Sequence, residues 1–312
     1  MKKIRAFILA LVAATVAMAP LSSCSSDDND DNNNGGGNTE LPKYAALAAQ
    51  YIIDDEQAAV RSIELTESGR YLVEMNPSHS GAPKRAAGDD NGMYYGTYTA
   101  GEDNMTFTLA GFGTMKVNDN GTVTITSDKS GRTWKYRVTI TKSKNLSSVE
   151  QRLCRTWTVK SIRWRINEEG KAVLDITANT LPELYMKVKD FMDDEDKPHW
   201  DSTIDWAKEN QPQEYTFTGT GLLLVKSTKN ELLDYRRWRM KSGKEMQVWR
   251  LGEDDYNDNG IPDENEWNHC LFEYSDEGSI IVSFTGNKLI INNTEDEYGT
   301  ENSMEYTFEE AK

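Results

Sequence analysis

Basic residues, histidine and cysteine are the scarce components of this 312-residue chain. Lysine and arginine total 35 against 51 aspartates and glutamates, a formal net charge of −16 at pH 7. Phosphate backbones are gripped by clustered Lys and Arg, so this charge balance excludes a nucleic-acid partner. The three histidines, His79, His199 and His269, show no two at metal-ligand spacing, and no histidine zinc site follows. His269 and Cys270 adjoin, but neighbours on a strand point to opposite faces, which spoils a nucleophile pair. No Gly-x-Ser-x-Gly occurs, and Ser242-Gly243-Lys244-Glu245 lacks both the first Gly and the Ser/Thr of a phosphate loop. Carboxylates are too numerous to single out an acid/base pair, so the expectation is a protein without catalytic machinery. The one long apolar run lies at the N-terminus and falls short of the ~20 residues of a membrane-spanning helix, which excludes a polytopic helical fold. The length suffices for one large core or two small ones.

The N-terminus carries an address. Lys2, Lys3 and Arg5 precede an apolar stretch from Ala6 to Met18, the layout of a secretory signal. Leu21-Ser22-Ser23-Cys24 then resembles the lipobox of bacterial lipoproteins, in which cleavage leaves an acylated N-terminal Cys. That resemblance makes residues 1–23 a signal peptide and Cys24 the lipid anchor; an ordinary signal peptide with a chance Cys is the alternative. The chain left after cleavage has 32 basic against 51 acidic residues, a net charge of −19, and would be repelled by an anionic bilayer. Acyl chains, at about 0.8 kcal/mol per buried CH₂, hold it there without a basic patch. Behind Cys24, residues 25–38 are Ser, Asp, Asn and Gly alone, and residues 24–43 read as a flexible acidic tether. An acidic run behind the lipid Cys also resembles the surface-export signal of lipoproteins in a phylum of Gram-negative gut anaerobes. The expected location is therefore the outer membrane, at the cell surface, with the periplasmic face as the alternative.

Beyond the tether the chain reads as mainly β. Tyr44 to Val60 is Ala-rich, with Leu47, Tyr51 and Ile52 near helical spacing, and predicts an N-terminal helix. The apolar period then changes to two: Tyr71, Val73 and Met75; Met105, Phe107 and Leu109; and Trp134, Tyr136, Val138 and Ile140. Side chains alternate across a strand, so these are half-buried antiparallel strands. Turn signals stand at Glu67-Ser68-Gly69, Asp119-Asn120-Gly121 and Lys129-Ser130-Gly131. A smaller β-rich unit over 44–144 follows, with a long loop at 76–92. A polar, aperiodic stretch around Lys142 to Ser148 marks a boundary, and a second unit spans 148–312. It opens with a strand from Thr156 to Trp164. One helical insertion follows, with Thr180 and Glu183 at capping-box spacing, Pro182 in the first turn and Leu184, Val188, Phe191 and Met192 on one face. A second short helix is predicted over Asp201 to Lys208. Strands resume at 214–218, 222–226, 235–240, 245–251, 270–274, 279–284, 288–291 and 304–308. That many short antiparallel strands in sequence suit an up-and-down barrel, which leaves no open edge.

Leu153-Cys154-Arg155-Thr156-Trp157-Thr158-Val159 resembles the opening strand of lipocalin-like domains, whose hallmark is Gly-x-Trp with the Trp plugging the barrel base. Arg155 stands where that family has Gly. The Gly278 to Asn292 hairpin, with its Phe284-Thr285-Gly286-Asn287 turn, is similar to those of lipocalin-like bacterial lipoproteins. The resemblance covers about residues 150–310. It implies an antiparallel barrel that takes a small apolar ligand or a partner, and no reaction.

Three sets of candidate site residues remain. Asp255, Asn257, Asn259, Asp263 and Glu266 occupy positions 1, 3, 5, 9 and 12 of a loop with Gly260 at position 6, and the carbonyl of Ile261 falls at position 7. This spacing wraps a chain around Ca²⁺. Its Gly-Ile-Pro-Asp wording resembles thrombospondin type-3 calcium loops; a structural Ca²⁺ site and an acidic, solvated turn are the two readings. Cys154 and Cys270 are either a disulfide, worth about 4 to 5 kcal/mol on the chain-entropy model, or two small buried residues. Trp157, Trp134 and Trp249 fall in strand patterns and read as core. Trp200, Trp206, Trp238 and Trp267 fall at helix or loop positions or beside charges, where stacking on a sugar is the alternative to packing. The resulting expectation is a lipid-anchored envelope protein that binds a small apolar molecule or a glycan, or else a structural subunit with a filled barrel; a glycoside-acting enzyme is the remote third.

Overall fold

The computed structural model describes residues 40–76, 92–128, 130–143, 145–192, 194, 197–250, 278–297 and 299–311. They form two closed antiparallel barrels of eight strands each. The first is a simple meander: β1 (Ala49–Ile53), β2 (Val60–Leu65), β3 (Arg70–Met75), β4 (Met93–Ala100), β5 (Thr106–Leu109), β6 (Gly113–Asn118), β7 (Thr122–Ser127) and β8 (Thr133–Thr141). Closure comes from β1 pairing with β8, Tyr51 opposite Ile140 and Ile53 opposite Val138. The cleanest alternation in the sequence gives β8, with Val138 inward and Arg137 and Thr139 outward.

The N-terminal helix predicted over 44–60 is not formed. A turn at 43–47, in which Ala48 N–H donates to the Tyr44 carbonyl at 3.0 Å, leads straight into β1. Ala49, Tyr51 and Ile53 lie inward at a period of two, and the pairing that closes the barrel overrides the helical propensity of the alanines. At the head of β6, Gly113 adopts φ +149°, and a Cβ there would lie 1.9 Å from the Thr126 carbonyl oxygen, so the strand starts where only Gly fits.

The second barrel is built from β9 (Thr156–Glu168), β11 (Pro212–Phe217), β12 (Leu222–Ser227), β13 (Leu232–Met240), β14 (Glu245–Arg250), β15 (Gly278–Thr285), β16 (Lys288–Glu297) and β17 (Thr300–Glu310). It closes through β17 on β9, in register from Thr300 opposite Glu168 to Glu310 opposite Trp157. Along the other edge of β9, Thr156–Thr158 pair with β11, while Ile162–Glu168 pair with an additional strand, β10 (Lys171–Ala178). The sequence reading missed β10. Among the described residues, three helices complete the unit: α1 (Ser148–Leu153), α2 (Leu181–Lys189) and α3 (Lys197–Glu209). α1 is held by a full capping box between Ser147 and Glu150. α2 starts as predicted, Glu183 N–H donating to Thr180 Oγ1 at 3.3 Å, while the Glu183 carboxylate accepts from Asn179 N–H at 3.0 Å. It ends at Lys189, so Phe191 lies beyond the helix and is 59% exposed instead of sharing its buried face. α3 begins four residues earlier than predicted.

The barrels touch through their outer walls. Ser68 Oγ lies 2.7 Å from Thr156 Oγ1, Tyr95 OH lies 3.3 Å from Thr216 Oγ1, and Arg70 pairs with Glu214 at 3.1 Å. The predicted 270–274 strand lies outside the described residues.

Candidate functional site

Both barrel interiors are dense with side chains, and they differ in one respect. In the first, Tyr71, Tyr98, Phe107, Phe112, Met115 and their neighbours form an apolar cluster. Two of its tyrosines satisfy their hydroxyls on backbone: Tyr71 donates to the Ala110 carbonyl at 2.7 Å and Tyr98 to the Thr66 carbonyl at 2.9 Å. Its buried charged residues, Glu64 and Glu67, are not part of that interior: Glu64 pairs across the outer face with Leu72 and Gln50, and Glu67 sits in the following turn.

In the second barrel, a charged pair faces inward. Arg236 is opposite Leu223 and two residues from Trp238, both members of the interior cluster, and alternation places Asp234 on the same face. Arg236 Nε donates to Asp234 Oδ2 at 2.5 Å, and its Nη2 bonds the same oxygen. Tyr215 lies close enough to be acted on by both. Burial pushes its hydroxyl above the ordinary tyrosine range, Arg236 pulls it back, and Asp234 and Tyr185 of α2 push it up. Asn293, opposite Ile280, adds a buried amide on the inner wall. Trp238 packs edge-on against Phe217 at 5.6 Å, and its Nε1 has no hydrogen-bond partner among the described residues. Arg236 is buried while the Asp234 side chain stays 28% exposed, and an ion pair drawn partly out of water in this way is weak evidence for a purely stabilising role. The first barrel fills itself without one.

The two ends of this barrel are closed differently. At the base, Trp157 is buried and its Nε1 donates to the Leu153 carbonyl at 2.9 Å. Arg152 of α1 lies over the Phe284 ring at 4.0 Å and bonds the Gly286 carbonyl at 2.9 Å, which ties α1 to the β15–β16 turn. Arg155 pairs with Glu310 at 2.8 Å and reaches the Glu40 carbonyl. At the opposite end α2 packs on β9 and β10, and α3 on α2. Trp164, Tyr185 and Trp200 form an aromatic trio there, with ring centroids 5.4 to 6.4 Å apart. Trp164 Nε1 donates to Asn302 Oδ1 at 2.7 Å and Trp200 Nε1 to the Tyr185 carbonyl at 2.8 Å.

This geometry corrects two of the four tryptophans considered for sugar stacking. Trp200 and Trp238 are 3% and 4% exposed and belong to the interior, because α3 folds onto the barrel and β13 turns Trp238 inward. Trp206 is 57% exposed on α3, with exposed Met186 and Phe191 also on the helical insertion. Cys154 is a buried thiol at the end of α1, and burial raises its pKa well above the ordinary value. Cys24, Trp267, Cys270 and the calcium-loop residues Asp255, Asn257, Asn259, Ile261, Asp263 and Glu266 lie outside the described residues. Asp234 and Arg236 escaped the sequence reading, although their alternation with Trp238 and Met240 is the signal that places them inside.

Neither a protein-family model nor a curated protein matches the chain. Among solved structures, a protein of unknown function of the DUF3598 family from Nostoc punctiforme aligns over 85% of this chain and 94% of its own, at 10% identity and a TM-score of 0.19.

Proposed function

We propose that this is a lipid-anchored cell-envelope binding protein of the lipocalin-like bacterial lipoprotein type, held by Cys24 at the outer membrane and facing the cell surface. On this reading the second barrel takes a small amphipathic molecule, its apolar part among the interior aromatics and its polar end on Asp234, Arg236 and Trp238 Nε1. The first barrel is the filled support, and the loop from Asp255 to Glu266 is a structural Ca²⁺ clamp. No reaction is assigned. One observation carries the reading: the second barrel holds an inward ion pair and an indole N–H with no partner among the described residues, where the first barrel's interior cluster holds no ion pair. Recognition of a polar end gives such groups a purpose that stability does not.

The test is titration of the full chain with an anilinonaphthalene sulfonate fluorophore, followed by displacement with long-chain carboxylates. One molecule per chain is expected, and the paired substitution Asp234→Asn with Arg236→Met should weaken it by about tenfold or more, the equivalent of ~1.4 kcal/mol. Binding that ignores the substitution, or none with ligand in large excess, refutes the interior site. A second reading, a glycan or protein partner on the helical insertion, is favoured by the exposure of Trp206 and Phe191. Trp206→Ala would abolish that contact and leave the fluorophore site intact.

A further inference from the structure

The seam between the barrels contains a second polar constellation, independent of the interior. Outer-wall residues that would ordinarily be solvated are buried there: Gln50, Glu64 and Leu72 of the first barrel, and Leu222, Leu224 and Trp249 of the second, belong to neither interior cluster. Two carboxylates of the first barrel dock on the β11–β12 turn of the second. Glu67 Oε1 accepts from Gly219 N–H at 2.9 Å, and Glu64 Oε1 accepts from Thr220 Oγ1. Gly219 is required there, because a Cβ would lie 2.7 Å from Glu67 Oε1 and 2.4 Å from the Ser143 Cβ of the inter-barrel linker. The Glu64 carboxylate also draws on the Thr218 hydroxyl and that of Glu67 on its own backbone N–H; beyond these, each Oε2 is buried and no further described residue bonds it. Compensating charge is thin. Arg237 of β13 acts on Glu64, while Arg70 and Lys226 both lie on Glu214. Among the described residues, the other titratable groups that act on or are acted on by the pair are Tyr51 of β1, Tyr98 of β4, Cys154 at the end of α1 and Tyr235 of β13, and none of them carries a positive charge.

We propose that this seam is a protonation latch: Glu64 and Glu67 seat against the β11–β12 turn as neutral acids, and release of their protons to solvent drives the barrels apart at that turn. Two like charges placed side by side in a seam with one opposing guanidinium cannot both be solvated unless water enters, and water enters only if the walls separate. The direction of both titrations agrees. Burial first, and the neighbouring Glu67 second among the raising influences, push Glu64 up to about 8; burial pushes Glu67 up to about 7. The latch is therefore closed in mildly acidic surroundings and released in alkaline ones, and it couples the orientation of the second barrel to pH.

Small-angle scattering of the full chain from about pH 6 to about pH 9 tests this, with near-UV circular dichroism to confirm that each barrel stays folded. The radius of gyration should rise once, with a midpoint between 7 and 8, and the double variant Glu64→Gln with Glu67→Gln should stay compact throughout. If the double variant does not fold, Glu67→Gln alone should reduce the steepness of the transition from two protons toward one. A flat wild-type profile overturns the proposal. So does a double variant that opens at the same midpoint, or a single variant that keeps the full steepness.

Discussion

Trp164 joins the helical cap to the barrel wall, and its removal gives the sharpest test of how the second unit is held together. The side chain is fully buried, donates to Asn302 Oδ1 at 2.7 Å and meets Tyr185 and Trp200 at centroid distances of 6.3 and 6.4 Å. Truncating a buried Trp to Ala costs about 3 to 5 kcal/mol in transfer and cavity terms. Leaving the Asn302 oxygen without its donor adds about 1 kcal/mol. Trp164→Ala should thus lose about 4 to 6 kcal/mol, a large part of the 5 to 15 kcal/mol typical of a whole domain. Trp164→Phe keeps most of the volume and loses the donor, so about 1 to 2 kcal/mol is expected. A cycle with Asn302→Ala isolates the hydrogen bond, whose coupling should be near 1 kcal/mol. Urea unfolding gives the energies, fitted with separate transitions for the two barrels, because a two-unit chain is not safely two-state. Amide hydrogen exchange localises the effect: protection in α2 and α3 should fall before that in β9. A loss under about 1 kcal/mol for Trp164→Ala, or α2–α3 protection unchanged while β9 weakens, would refute the idea that this residue anchors the cap.

Four further outcomes are expected. Glu64 has a folded pKa of about 8 against an ordinary 4.5, so the folded state holds an extra proton between those values and stability falls as pH rises through that window, by about 1.4 kcal/mol per unit for each such group; in chemical denaturation Glu64→Gln should flatten the slope and be the more stable protein at pH 8, and a wild type equally stable at pH 5.5 and 8 contradicts this. Gly113→Ala forces a Cβ onto the Thr126 oxygen from a positive-φ backbone and should destabilise the first barrel by about 3 kcal/mol or more, measured by thermal melting; an unchanged melting temperature shows the β6 geometry to be wrong. Saturating Ca²⁺ at about 100 times its Kd should stabilise the native chain by about 2.7 kcal/mol, and chelation or Glu266→Gln should remove the gain; no response eliminates the metal. Cys24→Ser should move the protein from the membrane fraction to the soluble fraction and abolish acyl labelling, whereas retention in the membrane disposes of the lipid anchor.

What the sequence made legible tracks where its information is local. β8 could be placed because Trp134, Tyr136 and Val138 alternate with charges, and α2 because Thr180, Pro182 and Glu183 write a helix start. The Ala-rich stretch misled because alanine favours helix only until a barrel edge competes for the same backbone, and that competition is decided by β2 and β8. α1 was overlooked although Ser147 and Glu150 stand at capping distance. β10 was harder, since its alternation of buried Leu174, Ile176 and Ala178 with exposed Asp175 and Thr177 is short and is broken by a bulge between Ala172 and Leu174. The closed first barrel and the two buried carboxylates at the seam were not readable: Glu64 and Glu67 look like ordinary surface acids until the second barrel covers them. Asp234 and Arg236 invert the usual pattern of polar residues outward, so a reading based on that pattern passes over them.

The divided edge of β9 has a mechanical consequence. Its first residues are laced to β11 and its last ones to β10, and β10 and β11 share no ladder among the described residues. The rim is therefore a collar with a vertical slit, stopped by the α2–α3 pair and not by backbone bonds. Swinging that stopper aside breaks side-chain packing and two tethers, Lys187 Nζ on the Thr177 carbonyl and Lys229 on Glu209, while every strand of the staves stays joined.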